Sequence, residues 1–417
     1  MRSQNAMSRN QPTPTHGASS SGPVPTRTPA LGPQQPPHDP VAGARAARSR
    51  GRSGRRRRQR HWIGAGVLSA ALLLTGCGDE SPAVTARFDA FGDVVDLSVV
   101  QVRPDEAEQA LETIRTQFQD LELALMPWND GQMARINRLL PTGETFSAPV
   151  LVLPLVHLSQ RYADLSENLF NPAIGKLTAL WGFNTDVPEG MRPPPEHAIQ
   201  RLLDANPQMS DIEVDILKLT GRNTSLRLDF SSMVQAYAID LAIADLRARD
   251  IRNAQIKTGA NLRAIGERSG QPWRATIPRA SGSGVFATLS LEADESVVTR
   301  SVHDRNWLHQ GTLYHGILDP RTGRPVTHTQ SVTVLHPEAT VAAAAAVALF
   351  VAGPDQWQDV ARTLGIEYVM LADRDGTVRM SPELHERLTM IDRHAPIELS
   401  PPLSEPETQA MNPSNKP

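Results

Sequence analysis

Cysteine is almost missing from this 417-residue chain, which has one, Cys77. A lone thiol excludes an internal disulfide and a zinc–thiolate cluster, and it leaves the folded body no thiol nucleophile. Acidic residues are almost missing from the first part: residues 1–76 hold 12 Arg, no Lys and one acid, Asp39. The remainder then has 30 basic against 44 acidic side chains, a net charge near −14. Nucleic acid is therefore not an expected partner of the folded part, because phosphate binding needs a basic face. A long hydrophobic run is missing near the start as well. Trp62–Leu74 is about 13 residues long, too short to span a bilayer comfortably. No internal repeat of fixed period is present.

What is there divides the chain into four parts. Residues 1–54 are rich in Pro, Ser, Gly and Arg without aliphatic periodicity, and are expected to be disordered. In residues 55–77 the cationic Arg55–Arg58 precedes the apolar run and then Leu74-Thr75-Gly76-Cys77, which resembles a bacterial lipobox. That pattern reads as a lipoprotein signal peptide with Cys77 as the lipidated residue; an uncleaved N-terminal anchor is the alternative. Either one places the body on the periplasmic side of a bacterial membrane. Residues 86–395 form the expected folded domain, and the Pro-punctuated residues 396–417 a loose tail.

Within the body, Phe88 to Val102 reads as an opening strand region rich in β-branched residues. Leu111, Ile114, Phe118, Leu121 and Leu125 recur at three and four residues, which predicts an amphipathic helix. A second helix is expected over about 150–167. Leu226, Leu228 and Phe230 alternate with Arg227 and Asp229 as in a strand, and a helix follows with Val234, Tyr237, Leu241 and Ala244 on one face. Ser231 or Ser232 would cap that helix, and Ser232 with Gln235 forms a capping-box pattern. Strand-like runs lie at Ala254–Thr258, Trp273–Ile277, Val285–Leu291 and Ser331–Leu335. Thr340 would cap the alanine-rich helix Val341–Val347, and Gly353-Pro354 would stop it. Strands interleaved with a few helices indicate an α+β fold.

Four segments, in order, resemble the ApbE-type FAD:protein FMN transferases. They are Phe170-Asn171-Pro172-Ala173-Ile174-Gly175 through Phe183; Leu228-Asp229-Phe230-Ser231-Ser232-Met233 through Asp240; Lys257-Thr258-Gly259 through Gly266 with Pro272-Trp273-Arg274; and Ile317–Pro325 followed by Val332-Thr333-Val334. The resemblance implies a two-lobed α+β fold with mixed and antiparallel sheets, flanking helices and a flavin cleft between the lobes. It also implies a lipid-anchored enzyme that uses magnesium to cleave FAD and pass FMN to a Ser or Thr of a partner, a flavinylated electron-transfer protein.

Carried over residue by residue, the resemblance makes Phe91, Trp128, Leu169, Phe170, Asn171, Ser232 and Thr299 candidate flavin contacts. Core packing competes for Phe91, Leu169, Phe170 and Asn171. The amides that follow Ser231 and Ser232 could meet the pyrophosphate. Arg300 reads as a solvated charge, with a phosphate contact as the alternative. The polar positions depart from the family. Gln235 stands where the family has Glu or Lys, and Asn261 where it has an acid. Gly316 stands where it has His, with His315 slipped by one position, which turns a side chain to the opposite face of an extended segment. The metal-binding Asp and Thr fall on Ala343 and Val347, one helical turn apart. His303, Asp304 and His328 read as surface residues, with a rebuilt metal site as the alternative, and Asp319 as a turn former. Gln235 and His315 are the remaining, weak catalytic candidates.

Three functions remain open from sequence. They are an FMN transferase with a rearranged metal site, a non-catalytic flavin-binding or partner-binding lipoprotein, and an envelope solute-binding lipoprotein. The second explains the changes at Gln235, Asn261, Gly316, Ala343 and Val347 with one cause.

Overall fold

The structure is a computed structural model that describes residues 83–404 apart from Trp128, 185–190 and 293. Residues 1–54, the signal segment 55–77 and Cys77 lie outside the described residues, as do Trp128 and 405–417. Every described residue belongs to one compact unit.

Nine strands form the main sheet in strict chain order: β1 (Val84–Ala90), β2 (Asp93–Val99), β3 (Ala254–Thr258), β4 (Asn261–Ile265), β5 (Asp294–Ser301), β6 (Thr329–His336), β7 (Tyr368–Asp373), β8 (Val378–Met380) and β9 (Ile397–Leu399). Neighbours run antiparallel except β8 and β9, which are parallel. The β-branched run from Phe88 to Val102 is thus a hairpin, turned at Phe91-Gly92 with positive φ at both (57° and 73°). Strand β9 and the buried Leu403 correct the expectation of a loose tail from residue 396.

Alternation along the strands gives the sheet two buried faces. Val298, Val332, Val334, Val369 and Leu371 face the larger core, while Val297, Leu335, Met370 and Ala372 face a second one. A three-stranded sheet, Arg274–Pro278, Val285–Ser290 and Leu388–Met390, covers the second face. Four helices build the first: α1 (Pro104–Leu125), α2 (Leu153–Leu165), α3 (Val234–Ala248) and α4 (Ala339–Leu364). Helix α1 buries the predicted Leu111, Ile114, Phe118, Leu121 and Leu125.

Helix α4 lies across β5, β6 and β7, and its methyl side chains let its backbone approach them closely. Ala339–Ala346 are all buried. The helix breaks at Gly353 (φ 72°) and restarts after Pro354, so the expected stop is a kink between two helices. A Cβ at Gly353 would lie 2.4 Å from His328 Cε1, which leaves room for glycine alone. The N-terminus corrects the sequence reading. Thr340 is already helical, and Asp240 of α3 caps from across the core: Oδ1 accepts from the Ala339 amide at 3.0 Å and Oδ2 from the Thr340 amide at 2.8 Å. Arg263 of β4 bridges this carboxylate, at 2.5 Å, to Asp294 of β5, at 3.0 Å.

The segment Leu226–Phe230 is not a strand beyond one bridge, between Arg227 and Ile174. Its three apolar residues are fully buried, as the alternation predicts. Its ladder is replaced by a side chain: Asn137 donates to the Leu228 carbonyl (2.8 Å) and accepts from the Leu228 amide (2.7 Å). On the other side Pro172 accepts from Asp229 but has no N–H to return.

A smaller lobe has its own core of Leu177, Trp181, Phe183, Ile199, Trp307 and Leu318. Trp307 stacks on Tyr314 with centroids 4.4 Å apart. Trp181 Nε1 donates to the Gly323 carbonyl at 2.8 Å, which ties the Ile317–Pro325 turn to this lobe. The two-lobed α+β architecture expected from the sequence is the one the chain adopts.

Candidate functional site

Between the lobes runs a cleft of about 490 Å³, within the range of small-molecule sites. Phe91 at the tip of the first hairpin, Met126, Phe183 and Ile317 give it apolar walls. Ser231, Ser232, Gln235 and Arg300 give it a polar side, with Asp93, Asp304 and Asn306 also lining it. A second recess shares Thr178, Ser231, Ser232, Gly316 and Ile317 with the first and continues it to Leu169, Phe170, Asn171, Asp229 and Val347. Of the flavin contacts carried over from the family, Phe91, Leu169, Phe170, Asn171 and Ser232 therefore meet in one continuous space. Phe91 holds a left-handed backbone that bulky residues rarely adopt, a strain commonly found at binding sites.

Asn171 is also a structural anchor. Its Nδ2 donates to the Pro207 carbonyl at 2.9 Å, and its Oδ1 accepts from the Ala173 amide at 3.1 Å. Asp229 is different: Oδ1 accepts from the Ser231 amide, but Oδ2 is buried without a partner among the described residues. A buried acceptor left open costs about 1–3 kcal/mol, which a ligand donor in the recess would recover.

Helix α3 begins after an uncapped Met233, so the expected capping box of Ser232 and Gln235 does not form. The amides of Met233 and Val234 both donate to the Phe230 carbonyl, so these two are not free for a pyrophosphate. Gln235 instead turns into the cleft, where its Oε1 accepts from Asn261 Nδ2 at 2.8 Å. Asn261 Oδ1 in turn accepts from Arg300 at 2.9 Å.

Period two along β5 reverses the expectations for its two candidates. Thr299 points away from the cleft: it is buried, and its hydroxyl pairs with that of Thr333 at 2.9 Å. Arg300 points toward the cleft and is 8% exposed rather than solvated. Its guanidinium donates to the Ser232 carbonyl (2.7 Å), the Thr299 carbonyl (2.9 Å) and Asn261. Burial pulls it below the ordinary arginine value, opposed by the charge of Asp304.

His315 takes no part in the cleft. Its Nε2 bonds the Val326 carbonyl at 2.8 Å and its Nδ1 faces the Ile317 amide at 3.3 Å, so both nitrogens serve the backbone. Burial pushes its imidazole below the ordinary histidine value, against the Val326 carbonyl, which raises it. Asp319 shapes the signature turn as expected, accepting from the Arg321 amide at 2.8 Å and pairing with its guanidinium. His303 and Asp304 are exposed, whereas His328 is half-buried against Gly353.

The residues present do not fit magnesium, which takes oxygen ligands and usually carboxylates. No group of three or more His, Cys, Asp or Glu that could hold a metal ion occurs among the described residues. Ala343 is a fully buried methyl in the core, Val347 an isopropyl on the recess, and the neutral Gln235 and Asn261 lie beside a cation. FAD fits better: the cleft joins aromatic walls to hydroxyls, a guanidinium and an open carboxylate oxygen. Sequence reasoning missed Asp229 and Asp240 as individual sites, although both stand in a family-like segment, and it undervalued Arg300.

Comparison with known proteins places this geometry. An FAD:protein FMN transferase of Rhodobacter capsulatus is 29% identical over 339 residues, 80% of this chain; the match spans 64% of that relative's length. The FAD:protein FMN transferase of Vibrio cholerae is 25% identical over 76% of this chain and 95% of its own. Two crystal structures share the fold at 24% identity: the ApbE protein of Thermotoga maritima, with a TM-score of 0.67 over 73% of this chain and 99% of that one, and the apo flavinyl transferase ApbE of Pseudomonas stutzeri, with 0.65 over 74% and 97%. Residues 91–370 match the ApbE family along most of the folded body, and the chain belongs to that family.

Proposed function

We propose that this protein binds FAD in the cleft between its lobes and is an FAD:protein FMN transferase by descent whose transfer step is far slower than in its relatives. The binding half of the reading is carried by the cleft, where Phe91, Phe183 and Ile317 face the same space as Ser231, Ser232 and Arg300. Apolar walls suit a flavin ring, and hydroxyls with a guanidinium suit a pyrophosphate.

The slow half follows from what the polar side lacks. Phosphoryl transfer relies on a cation to neutralise developing charge and on a base for the attacking hydroxyl. Arg300 offers charge, but at the positions where the family carries its acids Gln235 and Asn261 are neutral amides, and His315 has both nitrogens occupied; the carboxylates that line the cleft, Asp93 and Asp304, stand at other positions. In the family magnesium supplies the first element and its carboxylates position it.

Incubating the protein with FAD, magnesium and a protein that accepts FMN from an intact family member tests the proposal. The expected result is FAD retained non-covalently and covalent transfer at least about 100-fold below the intact enzyme, since a missing general base alone is worth 10²–10⁴. Transfer at a comparable rate would overturn the slow step, and failure to bind FAD would overturn the flavin reading. The address is part of the proposal too: Cys77 anchors the protein by lipid on the periplasmic side of the membrane, supported by the apolar run and the lipobox. Labelled fatty acid should appear in the wild type and be absent from Cys77→Ser.

A further inference from the structure

Arg300 is a buried cation that, among the described residues, has no carboxylate in salt-bridge contact. Its neighbours are oxygens without charge: the carbonyls of Ser232 and Thr299 and the amide of Asn261. Burying an unpaired charge is costly, and proteins seldom do so without a use for it. The surroundings agree with a use, because Arg300 lines the cleft together with Ser231 and Ser232 and its guanidinium bonds the Ser232 carbonyl. Arginine also keeps its proton in proteins, so its charge is permanent.

We infer that Arg300 is a resident cation that holds a phosphate-bearing ligand in the cleft without a divalent metal. The charge pattern carries this. An acid at 261 would pair with Arg300 directly; with amides at 235 and 261, the chain Gln235–Asn261–Arg300 orients the guanidinium without an ion pair, and the carboxylate whose charge acts on it, Asp304, lies outside salt-bridge distance. Asp93 and Asp304 also line the cleft, and the charge of Asp304 acts on Arg300. For FAD the inference rests on the proposed flavin binding; for the anion site it stands by itself.

The test titrates the full-length protein with FAD, inorganic pyrophosphate and riboflavin, first with chelator and then with magnesium. FAD and pyrophosphate should bind with chelator present, and magnesium should change either affinity less than about twofold. Arg300→Met should weaken both by at least about 10-fold, the loss of one charge-assisted hydrogen bond. Riboflavin, which has no phosphate, should bind Arg300→Met as it binds wild type. Should Arg300→Met fail to fold, Asn261→Asp keeps the guanidinium and supplies an internal carboxylate, and the same selective loss is expected. Binding that requires magnesium, or equal binding by the variants, would overturn the inference. Pyrophosphate bound through Arg300 while FAD and riboflavin are not would uphold it and remove the flavin reading. Riboflavin bound with no pyrophosphate binding would do the reverse.

Discussion

Two polar networks tie helix α3 to strand β4, and they are built in opposite ways. In one, Asp240 on the helix meets Arg263 on the strand, and Asp294 with Arg247 completes a closed set of two acids and two cations whose Asp240 also caps the alanine helix. In the other, five residues earlier on the helix and two earlier on the strand, Gln235 meets Asn261, and the cation Arg300 bonds to neutral oxygens. The first network spends all of its charge inside the protein, as a structural device does. The second leaves a cation without an ion-pair contact, at the wall of a cleft.

Breaking the closed network should have the largest effect on stability. Asp240→Ala leaves Arg263 with one partial partner and strips the first amides of α4, so a loss of about 3–5 kcal/mol is expected in urea denaturation. Arg300→Met should cost less, about 1–3 kcal/mol, because it removes donors from three neutral oxygens without breaking an ion-pair contact. A larger loss for Arg300→Met than for Asp240→Ala would erase the distinction between the networks.

The smallest effect concerns pH. Burial holds the folded His315 below the ordinary histidine value, near 6.5 in an unfolded chain. Below that pH the unfolded chain takes up a proton that the folded one refuses, so this contribution is present above about 6.5 and is lost as pH falls toward the folded value. The urea midpoint should therefore drop between about pH 7 and 5, and His315→Gln should flatten part of that slope. His328 and His336 are depressed by burial in the same direction and add to the slope, and Asp304, raised by burial, acts against it. A slope unchanged in His315→Gln would mean that this ring is protonated in the folded state.

The fold was legible where periodicity meets burial. Leu111 to Leu125 defined α1, and Ala254–Thr258 gave β3 to the residue. It was less legible where a side chain replaces backbone, as at Leu228, whose ladder partner is Asn137 from 91 positions away. The site followed the same division. Phe91, Leu169, Phe170, Asn171 and Ser232 reached the cleft, while Thr299 and Arg300 exchanged roles because a strand sends adjacent side chains to opposite faces. Which face was inside depended on the sheet order, and a local pattern does not contain it. Asp240 was hidden for a related reason, since its capped amides lie 99 and 100 residues away.

That distance changes how the alanine helix comes apart. Helix ends ordinarily fray, and their first amides trade hydrogen with solvent through small local openings. Here the amides of Ala339 and Thr340 are held by a carboxylate that is itself clamped to a strand, so they exchange when α3 and α4 separate. The outermost turn of this helix thus reports the opening of the whole core, and a deuterium label placed there times an event that elsewhere is read from the middle of a helix.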